Sequence, residues 1–261
     1  MVVALGVSLA GAGLTGCASS PSSPSAATST THLSSPASRS TGKTTSTTAQ
    51  PTGGGSGAEE ALAARAVITS ADLPTGWSSN GQVQTGMSNT IGTSQSQASL
   101  ARQRAMVGAC LGGVAVALMD LDTPEAQTGS FLSPDNAISL SETVDVFPDA
   151  ADASQAVSLF TSGRGPNCAA EVFRSAVPSG YALSAVAGPS PGVGDRSGVL
   201  SLTVRAPSGV QAVSLLLVVL IAKGSLLASL LFSSRTMPPM ELVHSVASNA
   251  AQALAGALSS R

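Results

Sequence analysis

Few residues in this chain have the side chains for chemistry. It holds three cysteines, Cys17, Cys110 and Cys168, and two histidines, His32 and His244. A nucleophile needs a base within reach, and the base needs a group to orient it. His244 lies between Val243 and Val246 in a helical pattern, as a surface or half-buried histidine would. His32 sits in a Ser/Thr-rich stretch with no partner pattern. There is no G-x-S-x-G elbow and no P-loop. No Cys, His, Asp and Glu stand at metal-ligand spacing, so no metal and no cofactor is expected. Asp120 and Asp122 are two close carboxylates, read here as a solvated turn at a strand end. Gly188 to Asp195 is Gly-rich, but it does not open a helix after a strand, so it reads as a loop. No catalytic set is expected, and an enzyme is not the reading these residues favour.

The one reactive position with a clear context is Cys17. Val2 to Leu14 is an apolar run too short to span a bilayer, with the length of a signal-peptide core. It ends in Leu14-Thr15-Gly16-Cys17, which matches the lipobox of bacterial lipoproteins. That resemblance implies cleavage before Cys17 and a thioether from its sulfur to diacylglycerol. The small side chains at 15 and 16 suit a peptidase that needs narrow residues beside the cut. No Lys or Arg precedes Cys17, so either the start lies further upstream or the α-amine alone supplies the positive charge. The expected location is the extracytoplasmic face of the cell membrane, held by lipid.

With Cys17 lipidated, Cys110 and Cys168 remain. An even remainder in an exported chain predicts one disulfide closing 58 residues, with two unpaired thiols as the alternative. Such a bridge is worth roughly 4 kcal/mol if it acts by restricting the unfolded chain. Charged residues are 10% of the chain and the formal net charge is −2, which lacks the basic footprint of a nucleic-acid binder.

Three segments follow: a signal at 1–16, the lipidated Cys and a tether at 17–57, and a folded domain at 58–261. Residues 18–57 are mostly Ser, Thr, Pro and Gly with one Leu and no aromatic residue, too little apolar surface to offset ordering. As a disordered coil the tether would reach about 35 Å r.m.s.. In the domain, helices are expected at 58–67, 94–111, 150–161 and 240–258. Strands are expected at 113–121, 138–147 and 199–206. Ser162 to Cys168 reads as a turn, and Trp77, beside Pro74 and Gly76, as a packing anchor.

Val213 to Phe232 has membrane-spanning length, and thirteen of its twenty residues are Val, Leu, Ile or Phe. Lys223-Gly224 interrupts it where a two-residue turn would make two ordinary strands, so a β-hairpin within 210–233 is expected rather than a membrane helix.

The order of features is similar to the actinobacterial sensor-domain lipoproteins related to the PknH-like extracellular domain. The residues that carry this are the lipobox and tether, A-D-L-P-x-G-W at Ala71 to Trp77, V-D-V-F-P-D-A-A-D-A at Val144 to Ala153, and G-V-G-D at Gly192 to Asp195. The resemblance implies an α+β fold, an antiparallel sheet with helices packed on it, and a cleft that takes a wall or lipid ligand. It implies a domain that binds or senses an envelope lipid, neutral glycan or wall peptide. The alternative is a structural or assembly protein of the envelope that engages an envelope protein partner. No motif of the family names a ligand-binding residue here.

Overall fold

The computed structural model describes residues 56–88, 97–174, 177–207 and 212–260. The signal, Cys17 and all but the last two residues of the expected tether lie outside them.

The sheet is built on the longest apolar strands. β5 (Ile138–Val146), β9 (Leu226–Ser234), β8 (Ala212–Lys223) and β7 (Arg196–Arg205) lie side by side, all antiparallel. β6 (Ala182–Gly188) closes one edge against β7. At the other side β5 pairs with two short strands in tandem, β3 (Pro124–Gln127) and β4 (Ser130–Leu132). These pair outward with β2 (Gln84–Met87) and β1 (Ser78–Asn80), respectively. β3 and β4 are offset at Thr128-Gly129, where a Cβ on Gly129 would meet the Asn80 carbonyl oxygen at 2.3 Å. Only glycine allows β1 to approach there.

The apolar run from 213 to 232 is the β8–β9 hairpin, as expected, but its turn is Gly224-Ser225 and not Lys223-Gly224, because Lys223 pairs with Leu226. Gly224 takes the positive φ, 53°, that such a turn demands. Asp195 of the G-V-G-D loop locks it. Its carboxylate accepts from the Lys223 ammonium at 2.6 Å and from the Gly224 N–H at 2.7 Å. The Lys223 bond and the Gly224 N–H hold that carboxyl below the usual range. No helix among the described residues is long and apolar enough to cross a membrane.

α1 (Ser56–Ala66) and α6 (Met240–Ser259) cover one face of the sheet. Between them and the sheet lies the main core, with Leu62, Ile68, Leu140, Val144, Leu230, Phe232, Val246 and Leu254 fully buried. α1 begins two residues before the expected tether ends, within the fraying of any helix start. α4 (Ala150–Thr161) crosses β7, β8 and β9 on the opposite face. Asp149 caps it, its carboxylate accepting from the Asp152 N–H at 2.8 Å. α5 (Gly165–Arg174) packs beside α4 and on β6, and α2 (Gln97–Leu111) and α3 (Gly113–Asp120) stand outside these helices. Val107, Ala115 and Met119 form a small second core there.

Two expectations are corrected. Residues 113–121 were expected as a strand and form helix α3 instead. The run is short, apolar and β-branched, and its contacts with α2 and α4 decide its state. The stretch from Ser162 to Cys168, expected as a turn, turns only at 162–164 and then opens α5. Pro166 falls in the first turn, where a missing N–H costs nothing. The expected disulfide is present: Cys110 of α2 joins Cys168 of α5, with Cα atoms 5.7 Å apart.

Candidate functional site

β5 has two unlike faces. Leu140, Glu142, Val144 and Val146 point into the core under α1 and α6. Ser139, Ser141, Thr143 and Asp145 form the other row, since side chains alternate along a strand. In register beside that row on β9 stand Ser233, Leu231, Ser229 and Leu227. On β3, Gln127 faces Thr143 and Glu125 faces Asp145. The outcome is a strip of sheet floored by hydroxyls. It is half-buried at Ser139, Ser141, Thr143, Gln127 and Ser233. It becomes buried at Ser229, Asp145 and Glu125.

The deep end is an acid pair. Asp145 and Glu125 are cross-strand partners, which places their Cβ atoms about 5 Å apart. The Thr123 hydroxyl donates to Asp145 Oδ1 at 2.9 Å. Thr123 is itself fixed by Ser88, whose N–H donates to the Thr123 carbonyl at 2.8 Å and whose Oγ accepts from the Thr123 N–H at 3.1 Å. Both carboxylate oxygens of Glu125 and the Oγ of Ser229 are buried with no hydrogen-bond partner among the described residues. Burial pushes the Glu125 carboxyl up to about 9, and the neighbouring Asp145 adds to the shift. Burial also raises Asp145, against the lowering effect of the Thr123 bond.

Glu142, two strand positions before Val144, is the counterpart on the core face. Its Oε2 accepts from the Ile68 N–H at 2.5 Å, which ties the chain leaving α1 to β5. Burial raises its carboxyl to about 8, while the Ile68 bond pulls the other way.

A second concavity lies outside α4, an open groove of about 340 Å³. Cys110, Leu111, Gln155, Ser158, Leu159, Ser162 and Arg164 line it. The Ser158 hydroxyl donates to the Ser154 carbonyl at 3.0 Å and accepts from the Arg196 guanidinium. Ser162 donates to the Ser158 carbonyl at 2.5 Å. The groove's hydroxyl donors are therefore spent within the fold.

The residues singled out in the sequence do not converge on this strip, apart from Asp145. His244 is exposed. Asp120 is not at a strand end but at the end of α3, paired with Arg104 at 2.9 Å across an exposed bridge. Asp122 is exposed on the connection to β3. Trp77 is half-buried against the main core, as a packing anchor should be. The A-D-L-P-x-G-W opening is a brace: Asp72 Oδ2 accepts from the Thr69 N–H and hydroxyl, both at 2.8 Å. The Asn249 amide of α6 donates to the Asp72 carbonyl at 2.6 Å. Among the described residues no three of His, Cys, Asp and Glu are grouped to hold a metal ion. Glu125 was missed because P-E-A-Q is too short to show a period, and only the strand register brings it to Asp145.

No family model matches this chain, and no curated relative matches it either. Two solved structures are weakly similar. One is the extracellular domain of PknH from Mycobacterium tuberculosis, with TM-score 0.40 and 9% identity over 76% of this chain and 96% of that one. The other is a Rv0999 ortholog from Mycobacterium smegmatis, with TM-score 0.43 and 10% identity over 73% and 95%. The likeness read from the sequence is thus matched by a weak structural one, and no functional role passes from either structure to this chain.

Proposed function

We propose that this chain is an extracytoplasmic lipoprotein, anchored through Cys17, whose folded domain binds or senses a cell-envelope ligand on the polar strip of β3, β5 and β9. One observation carries this reading. Both oxygens of Glu125 and the Ser229 hydroxyl are buried without a hydrogen-bond partner among the described residues, whereas Glu142 on the core face has one oxygen so placed and the other bonded. Folds rarely keep buried polar groups without partners, and sites that meet a ligand are where they do. The Cys110–Cys168 bridge suits an exported domain. The hydroxyl floor favours a neutral glycan or wall peptide over a lipid.

The perturbed acids also raise a catalytic reading, because such clusters mark active sites. A hydrolytic pair needs one carboxyl protonated and the other ionised. No His or Cys lies on the strip beside Glu125 and Asp145, and binding without catalysis is the reading proposed. An envelope scaffold is the rival outside chemistry, and it has no use for unpartnered acids.

The test is native mass spectrometry of the full protein purified from its own envelope. A small molecule retained by wild type and lost from Asp145→Asn supports binding. A bare protein in both leaves the scaffold. Cys17→Ala should release the protein from membranes or leave it unprocessed, and partitioning into the detergent phase like wild type would refute the anchor.

A further inference from the structure

The groove outside α4 has apolar walls and an unanswered positive charge. Leu111 of α2 and Leu159 of α4 line it, with Cys110, whose sulfur is held in the disulfide. Arg164 is the one charged residue among its lining, and no carboxylate lines it. The Arg164 guanidinium makes no hydrogen bond and no ion pair among the described residues. A second guanidinium, Arg196 of β7, donates to the Ser158 hydroxyl in the groove wall and also has no carboxylate partner. The acids nearby are engaged or set apart. Asp195 is held by Lys223 and Gly224, Glu171 pairs with Arg174, and Asp149 and Asp152 stand at the start of α4. α4 ends at Thr161 and α5 begins at Gly165, so two opposite helix ends offset each other here and the guanidiniums set the charge. Gln155 is exposed and makes no hydrogen bond among the described residues, which leaves its amide free.

These features define a ligand. Guanidiniums without acids call for an anion, and Leu111 and Leu159 call for an apolar arm beside it. The groove holds about 340 Å³, at the small end of ligand pockets, so the arm is short. Phosphate sites are built from several backbone N–H groups and hydroxyls, and the hydroxyl donors here are spent. A carboxylate needs only the planar fork that one arginine presents. We infer that this groove binds a carboxylate carried on a short apolar arm, its oxygens on the Arg164 guanidinium and its charge further met by Arg196 and the Gln155 amide. A short fatty acid and the C-terminus of a small apolar peptide share that chemistry. The groove has no residue in common with the polar strip, so this site goes beyond the binding role given above.

Calorimetric titration of the full-length protein in non-ionic micelles, with protein-free micelles as the blank, tests this. The probes are hexanoate and Nα-acetyl-alanyl-alanine, each against its own amide. An acid should bind where its amide does not. Arg164→Gln should weaken binding by about tenfold or more, and Arg164→Lys should restore only part, because an ammonium lacks the fork. Gln155→Glu, which puts a carboxylate in the groove, should abolish binding. Both side chains are exposed and unbonded, so the melting temperature should not move in these variants. Arg235→Gln, the same charge change on the exposed link from β9 to α6, should leave affinity within about twofold. Hexanoate alone identifies a free acid, the dipeptide alone a peptide terminus, and both together a site that reads the carboxylate; each supports the groove. Failure of both acids overturns it. So does an amide that binds as well as its acid, binding that survives Arg164→Gln, or an equal loss in Arg235→Gln. If both acids fail while an envelope ligand still co-purifies and is lost from Asp145→Asn, this inference falls and the polar strip stands.

Discussion

Glu142 and Glu125 are both buried on the same sheet, and they do different things. Glu142 faces the apolar core and holds the Ile68 N–H with one oxygen, the other being buried without a partner, so its cost is partly offset by a bond that fixes the chain after α1. Glu125 faces the hydroxyl strip and holds nothing among the described residues. One acid is accounted for by folding and the other is not. A buried charge-bearing group without a partner is expensive, and its persistence points to use. The two faces of β5 differ in the same way, one made to be filled by helices and the other made of donors and acceptors.

The sharpest way to break this comparison is to swap a charge between adjacent positions of β5. Leu140→Asp puts a carboxylate opposite Phe232 in the core and should cost more than about 4 kcal/mol, enough to abolish cooperative folding. Ser139→Asp, one residue away on the other face, should stay within about 1 kcal/mol. Chemical denaturation of both variants measures the difference, and equal losses would mean the faces are not distinct.

Glu142→Ala comes next. It orphans the Ile68 N–H and leaves a cavity, and should cost about 2 kcal/mol in urea unfolding. A neutral or stabilising result would show that the Ile68 bond contributes nothing.

The wild-type pH profile probes the two acids together. Glu125 and Glu142 have an ordinary value of 4.5 in the unfolded chain and titrate in the fold at about 9 and about 8. Between these limits the fold binds more protons than the unfolded chain, so stability falls as pH rises. It is fullest below about pH 4.5, where both states are protonated. Asp195 and Asp135 are shifted down and oppose this only in more acid solution. The melting temperature should therefore drop steadily from about pH 5 to pH 9. A flat or rising profile would contradict the raised carboxyls.

Much of the fold was legible because its longest elements announce their period. α4 shows Ala153, Ala156 and Val157 on one stripe behind the Asp149 cap. α6 shows Val243, Val246, Ala250 and Leu254. β5 alternates, and the hairpin follows from Gly224 inside an apolar run. β1 to β4 have three or four residues each, too few for a period, and their pairing is set by distant strands. α3 was hidden because G-V-A-V-A-L-M-D suits a strand until α2 and α4 pack on it. Half of the candidate site was visible: Ser139, Ser141, Thr143 and Asp145 are the polar half of an alternating strand. Glu125 and Ser229 were not, because register, which no local pattern carries, puts Glu125 beside Asp145 and Ser229 beside Thr143.

The central claim is that Glu125 is kept for a ligand and not for the fold. Urea unfolding of Glu125→Gln against wild type, at about pH 8 and without ligand, tests it most directly. Removing a buried, unpartnered acid should leave the apo domain as stable as wild type or more so, as happens where function is held at the expense of stability. A loss as large as that of Glu142→Ala would show that Glu125 serves the fold, and the account of the polar strip would be wrong.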